Sequence, residues 1–498
     1  MKKLFIVAIT LLTFAAKAQQ NTLLEQSFWR SKPTVSTVKA EVEKGNNPAQ
    51  LNGASFDPVV MAINAKVPNE TILYLLSQPG NDITKITHDS RTYLHWAAST
   101  GNVEIMEYLI GKGAKADIED SHGATPLNFA ASAGQTNTQI FDLCLKAGAN
   151  LKKDLTNEGA NALLLVVAND KDFTLTNYFI SKGLDLKSTD ANGNNAFSYA
   201  ARSGNIEILK ALLQKGVPAT DNAMIMAAQG TRQGANTIET FQYLESLKLK
   251  PTATNKNGEN ALHFIVRKPK QHDIIQYFLS KGTDVNQADS EGNTAFMTAA
   301  LGSRDTTVLA LLLPKVKNIN QGNQKGVTAL AMAVRSNSPD VVRYLINQGA
   351  SIQVADKNGD NLAAYLILSY SSGEGRGPNG PKPEDFETKL KLLQAKGLNV
   401  LAPQKNGNTL YHLAVAKSDL SLLKRLQPLG IDINAKNSEG ITALHKAAMI
   451  AKDDNILKYL VSIGAAKDAQ TNFKETAFDL ASENETLSKA KISINFLK

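Results

Sequence analysis

The chain has 498 residues, 43% hydrophobic, 6% aromatic and 20% charged, with a formal charge of +8 at pH 7. That is too long for one compact core, so about three domains would be the default unless the chain repeats itself along one axis. Lys2, Lys3 and Lys17 carry three of the positive charges, leaving +5 on the remainder; so mild an excess on so long a chain gives no ground for a nucleic-acid partner.

The chain opens with Met1-Lys2-Lys3, an apolar run from Leu4 to Ala16 broken only by Thr10 and Thr13, and Ala16-Lys17-Ala18 before Gln19. A basic start, an apolar centre and a small-x-small site make a secretory signal peptide over 1–18, cleaved after Ala18. The other reading is an uncleaved anchor, but a spanning helix needs roughly 20 apolar residues and this run is shorter. No other stretch is apolar enough to cross a bilayer, and no cysteine follows the cleavage point to take a lipid. The expectation is a periplasmic or secreted protein, not inserted in the membrane and monomeric. Residues 19–56, with Phe28, Trp29, Val35, Val38 and Val42, read as a capping unit over the first of a series of repeats.

The series begins at Asp57 and runs to about 487. Asp57, Thr92, Thr125, Asn161, Asn195, Asn222, Asn260, Thr294, Thr328, Asn361, Thr409, Thr442 and Thr476 each open an Ala-rich helical stretch. All are Asp, Asn or Thr, whose side-chain oxygen accepts from the free N–H groups of a first helical turn, so they form a column of N-caps. Pro58 and Pro126 follow two of them, at the helical position where a missing N–H costs nothing. Ala97-Ala98, Ala130-Ala131, Ala299-Ala300 and Ala447-Ala448 then let neighbouring helices approach closely. The caps recur every 33 to 38 residues, save one interval of 27 and one of 48.

A second helix follows in each unit, as in Ile105, Tyr108, Leu109, Ile110 and in Ile208, Leu209, Leu212, Leu213. It ends at a glycine (Gly113, Gly148, Gly183, Gly216, Gly282, Gly349, Gly397, Gly430, Gly464), where a left-handed conformation closes a helix without a Cβ clash. A further glycine (Gly123, Gly159, Gly193, Gly258, Gly292, Gly326, Gly359, Gly407, Gly440) turns the segment that leads to the next cap. The single cysteine, Cys144, lies on an apolar helix face and reads as a small buried hydrophobe.

Asp120-Ser-His-Gly-Ala-Thr-Pro-Leu127 and Asn437-Ser-Glu-Gly-Ile-Thr-Ala-Leu-His445 resemble the ankyrin consensus, and the likeness runs in phase over roughly residues 50 to 485. The resemblance, to ankyrin-repeat proteins of an exported bacterial type, implies an all-α repeat solenoid of about thirteen helix pairs with β-hairpin fingers projecting from one edge. It further implies a protein partner, held by the finger tips and the concave helix face.

Two units depart from the pattern. Before Asn222 the interval of 27 leaves no room for a full finger, so a truncated tip is expected near 217–222, with the extra length in a loop at 230–235. The interval of 48 comes from a Gly/Pro-rich insert, 371–383, which neither a helix nor a strand tolerates. Residues 488–498, with Ile492, Ile494 and Phe496, are expected to close the array as a C-terminal cap.

His95, His263, His412 and His445 share one slot of the unit, but Asn128, Leu164, Ser198, Ile225 and Ala331 occupy it elsewhere, and a row of metal ligands would not tolerate Leu or Ile. The resemblance makes these histidines hydrogen-bonded residues at the finger bases. Gly375-Arg-Gly377-Pro-Asn-Gly380 matches a dinucleotide fingerprint literally, yet Pro378, Pro381 and Pro383 forbid the strand and helix such a site needs. No catalytic, cofactor or metal residues are therefore expected, and the chain is not expected to be an enzyme.

The resemblance places the ends of the first helices on the concave side, where Arg202, Arg267, Lys268, Arg335 and Lys417 form a basic stripe suited to an acidic partner surface. Against that stands a structural reading, in which basic residues at helix ends simply complement the helix dipole. The function expected is a non-enzymatic protein-binding scaffold in the cell envelope or outside the cell. The alternatives are an accessory factor protecting an exported enzyme, for example in oxidative stress, and a secreted effector directed at a host.

Overall fold

The computed structural model describes residues 21–231, 234–371 and 382–498. The signal peptide with its cleavage site, most of the insert and the centre of the 230–235 loop lie outside them. The chain divides into two compact units, 1–199 and 200–498, and helix Ala196–Ala201 spans the division.

Unit 1 opens with helices Gln26–Arg30 and Val35–Glu43, which cover the first repeat through the buried Trp29 and Val38. The Trp29 indole N–H donates to the Leu23 carbonyl at 2.9 Å, so the ring is fixed as well as buried. Four helix pairs follow. Their first helices, Pro58–Ala65, Tyr93–Thr100, Pro126–Ser132 and Ala162–Val166, pack side by side in that order. Ala97, Ala98, Ala130 and Ala131 are fully buried, which is the close approach that small side chains permit. Cys144 is buried too, and burial pushes its thiol up to about 12, so it stays a protonated hydrophobe.

Unit 2 takes in helix Ile206–Gln214 and eight further pairs. Its first helices are Asn222–Gln229, Ala261–Ile265, Ala295–Gly302, Ala329–Ser336, Leu362–Ser369, Leu410–Ala416, Ala443–Ile450 and Ala477–Glu483. At the end of the chain Leu497 is the buried residue, while Ile492, Ile494 and Phe496 are half-exposed.

The caps do what their oxygens suggest. Asp57 accepts from Val60 N–H at 2.9 Å, Asn161 from Leu164 N–H at 3.1 Å and Asn361 from Ala363 N–H at 2.9 Å. Asn222 departs from its expected place and corrects the sequence reading. It is the first residue inside its helix, and Asp221 precedes it with α-helical backbone angles and no side-chain cap bond. With no full finger before it, the chain enters the helix through a turn, in which Ala223 N–H bonds Thr220 O. The Asp221 carboxylate instead accepts from Lys250 N–H at 2.8 Å.

The fingers are turns closed by single antiparallel bridges, for example Thr254 to Asn260, Ala288 to Thr294 and Gly322 to Thr328. A single backbone bond between tips links successive fingers, as in Ser290 N–H to Asn257 O at 2.7 Å, Gln324 N–H to Glu291 O at 2.9 Å and Lys357 N–H to Lys325 O at 2.8 Å. The glycines make that approach possible. Gly292 sits at φ +83°, and a Cβ there would lie 2.6 Å from the Gln324 nitrogen.

A third link joins successive units in unit 2. At the ends of several first helices, carbonyls left free are met by a side chain, mostly one from the following repeat. Asn236 donates to Ala201 O and Ala227 O, Asn337 to Ala300 O and Ser303 O, and Asn484 to Ala448 O and Ala451 O. At the end of helix Ala329–Ser336 a lysine serves: the fully buried Lys389 donates to Val334 O at 2.9 Å.

Candidate functional site

Each residue of the predicted basic stripe belongs to unit 2 and lies at or just past the end of a first helix, and the structure divides them into two groups. Arg202 donates from Nε to Gly230 O at 3.2 Å, Lys268 donates to Gln229 O, and Lys417 donates to Leu368 O at 3.1 Å and Tyr370 O at 2.8 Å. These three ligate helix-end carbonyls of a neighbouring unit, as Asn337 and Lys389 do. Burial, with the Arg202 guanidinium close by, lowers the Lys268 pKa.

Arg267 and Arg335 are different. Both are exposed, and among the described residues neither guanidinium makes an ion pair or a hydrogen bond. The Arg267 side chain leans along the end of the next first helix, where a Cβ on Gly302 would lie 3.0 Å from its Nε. Together with Leu301 they line a groove of about 680 Å³ between the first helices and the fingers of unit 2.

The groove has unlike walls. The helix wall presents Arg267, Leu301 and Arg335, together with Phe264, Met332 and Tyr365. The finger wall presents Glu259, Asp289 and Glu291, with Lys325 at one tip. Its acids are largely committed to shaping the turns. Asp289 Oδ1 accepts from Glu291 N–H at 2.9 Å and Asn293 N–H at 2.7 Å, and Glu259 accepts from the Asn255 amide at 2.8 Å. The two arginines are thus the uncommitted charges on the helix side. Sequence reasoning reached them but missed the acidic wall facing them, because its residues recur as ordinary turn formers.

The four histidines form no metal site. Nδ1 of His95 accepts from Thr92 N–H at 3.2 Å, and Nε2 faces Ala124 O at 3.1 Å, so the ring must be neutral with its proton on Nε2. His263, His412 and His445 repeat the arrangement against Asn293 O, Ile441 O and Ala469 O. Each ring ties its own N-cap to the next finger. Burial lowers the pKa of His95 to about 4, aided by the Arg91 charge, and lowers His412 and His445 in the same sense. Among the described residues no cluster of His, Cys, Asp or Glu is placed to hold a metal ion, and no helix is long and apolar enough to cross a membrane.

Repeated helix pairs, glycine-turned fingers and this histidine bridge define an interaction module built by repetition. A family model described as "Ankyrin repeats (3 copies)" matches residues 60–143, 135–223, 223–320, 262–356 and 387–492, and the chain belongs to the ankyrin-repeat family. Ankyrin repeats are protein–protein interaction modules, and no enzymatic domain accompanies the match.

Among known proteins the chain is similar to alpha-latroinsectotoxin-Lt1a of Latrodectus tredecimguttatus, 24% identical over 430 residues, which are 80% of this chain and 28% of the toxin. It is also similar to the ankyrin repeat and KH domain-containing protein mask-1 of Caenorhabditis elegans, 25% identical over 272 residues, 53% of this chain and 10% of that protein. The chain therefore spans less than a third of either relative. Among solved structures, the ankyrin repeat domain of Bcl-3 is 21% identical, aligning 47% of this chain with 100% of that domain at a TM-score of 0.35.

Proposed function

We propose that the chain is a non-enzymatic scaffold that holds a protein partner along the groove of unit 2, with Arg267 and Arg335 as the contacts that select it. The observation that carries this reading is the pair of exposed guanidinium groups, unpaired among the described residues, on either side of the exposed Leu301. A partner carboxylate meeting either one gains a charge-assisted and geometrically specific bond, and covering Leu301 removes apolar surface from water. Selection of random peptide segments on the full chain tests it. Binders should emerge whose affinity falls when both arginines are changed to Ala and falls with salt. Binders indifferent to both changes would overturn it.

The proposal includes export to the cell envelope or beyond, supported by the basic start, apolar run and small-x-small site of residues 1–18. The protein recovered from outside the cytoplasm should begin at Gln19. Recovery only from the cytosol with Met1 or Lys2 in place would refute export.

A further inference from the structure

The row of first helices that walls the groove, and continues one repeat past it, is periodic in chemistry as well as in shape. Seven residues after the caps Asn260, Thr294, Thr328 and Asn361 stand Arg267, Leu301, Arg335 and Leu368. All four are exposed, Leu301 by 37% and Leu368 by 49%. Successive units therefore offer cation, apolar, cation, apolar along one line. The first helices that carry them pack side by side, each against the next, and packed helices lie roughly 8–10 Å apart.

That step identifies the backbone that fits. A polyproline II segment has three residues per turn and rises about 3.1 Å per residue, so side chains three apart share one edge about 9 Å apart. A β-strand presents one face every second residue, about 6.7 Å, or every fourth, about 13 Å, and neither matches the step. An α-helix returns to one edge after three or four residues, about 5–6 Å, short of the step, or after seven, about 10.5 Å, beyond it.

We infer that the groove takes a polyproline II-type segment of a partner protein, with an acidic residue at every sixth position and an apolar residue midway between. Its carboxylates meet Arg267 and Arg335, and its apolar side chains cover Leu301 in the groove and Leu368 in the next repeat, beyond the residues that line it. The remaining edges of such a segment face the fingers, where Glu259, Asp289 and Glu291 favour basic or neutral residues. This inference rests on the docking reading given above and specifies its partner.

The probe is a ten-residue peptide with Glu at its first and seventh places, Leu at its fourth and tenth, and Pro elsewhere. The control has the same composition with Leu moved to the third and ninth places, which turns the leucines off the shared edge. Fluorescence anisotropy with the full chain at low salt should show the in-register peptide binding at least about tenfold more tightly than the control. Arg267→Ala and Arg335→Ala should each cost about tenfold, the order expected for one charged hydrogen bond. Both residues are exposed and unpaired, so circular dichroism of the variants should match the parent.

Equal binding of the two peptides, or binding that ignores the arginines, overturns the inference. If neither peptide binds, it also falls, and random-segment selection then decides the docking reading separately. Segments selected there without the six-residue acidic period, yet dependent on the arginines, would leave a groove that binds by another geometry.

Discussion

Acid should loosen the first repeats, and His95 should be the reason. Its ring is fully buried, with Nδ1 accepting from Thr92 N–H and Nε2 donating to Ala124 O. Protonation would set an N–H against the Thr92 N–H, and burial holds the pKa down at about 4, against an ordinary value of about 6.5. The folded state therefore binds fewer protons than the unfolded state across this window. The contribution is intact above about pH 6.5 and is lost as the pH falls towards 4. Linkage gives about 2 kcal/mol lost between pH 7 and 5, and about 3 kcal/mol by pH 4. Hydrogen exchange of the Tyr93–Thr100 amides, corrected for intrinsic rate, reads this directly. His95→Asn is the control, because Asn128 in the same slot still reaches a finger carbonyl, Asp154 O at 2.8 Å, while its own Oδ1 stays without a partner. The variant should be about 1–2 kcal/mol weaker at neutral pH yet lack the histidine's share of the acid loss. Protection of this helix that is unchanged between pH 7 and 5, or a variant that loses as much as the parent, would refute the reasoning.

Lys389 should act in the opposite range. Burial brings its pKa down to about 8, so the folded state again holds fewer protons, and stability should rise by about 2 kcal/mol between pH 7.5 and 9.5. Urea midpoints at those two values should move apart in the parent and much less in Lys389→Gln. Asn337→Ala removes two 2.8 Å bonds and leaves two carbonyls buried, for a cost of about 2–3 kcal/mol read by denaturant unfolding. Arg267→Ala and Arg335→Ala should change stability by less than about 0.5 kcal/mol, whereas Lys417→Ala should cost about 1 kcal/mol or more. Thermal shift separates the two groups, and a large effect at Arg267 would contradict its unpaired state.

Much of this architecture is written locally. A cap oxygen acts on N–H groups two or three residues away, and the closing glycines act on their own turn, so Asp57, Asn161 and Gly292 are readable one at a time. Every helix-ending and finger-turning glycine picked out along the chain has positive φ. Asn222 was misread because its residue type fits a cap while the missing finger before it changes how the chain enters the helix. The basic stripe was legible as a set of positions but not in its division. Whether Lys417 or Arg335 is free depends on where the preceding unit leaves its last carbonyls, about fifty residues away for Lys417 and Leu368. No local pattern records that. The wall of acids opposite Arg267 was hidden for a related reason, since Asp289 looks the same whether or not its finger borders a groove.

The carbonyl ligands of unit 2 also give the array a direction. Asn236, Asn337, Lys389, Lys417 and Asn484 each reach back to the preceding repeat, while Arg202 alone of the ligands named above reaches forward, so these repeats are sealed mainly by their successors. Shortening the protein from its carboxyl end should strip the new last helix of its donors and let fraying travel inward, repeat by repeat. The arginines of the groove stand well ahead of that vulnerable margin, with later repeats acting as their ballast.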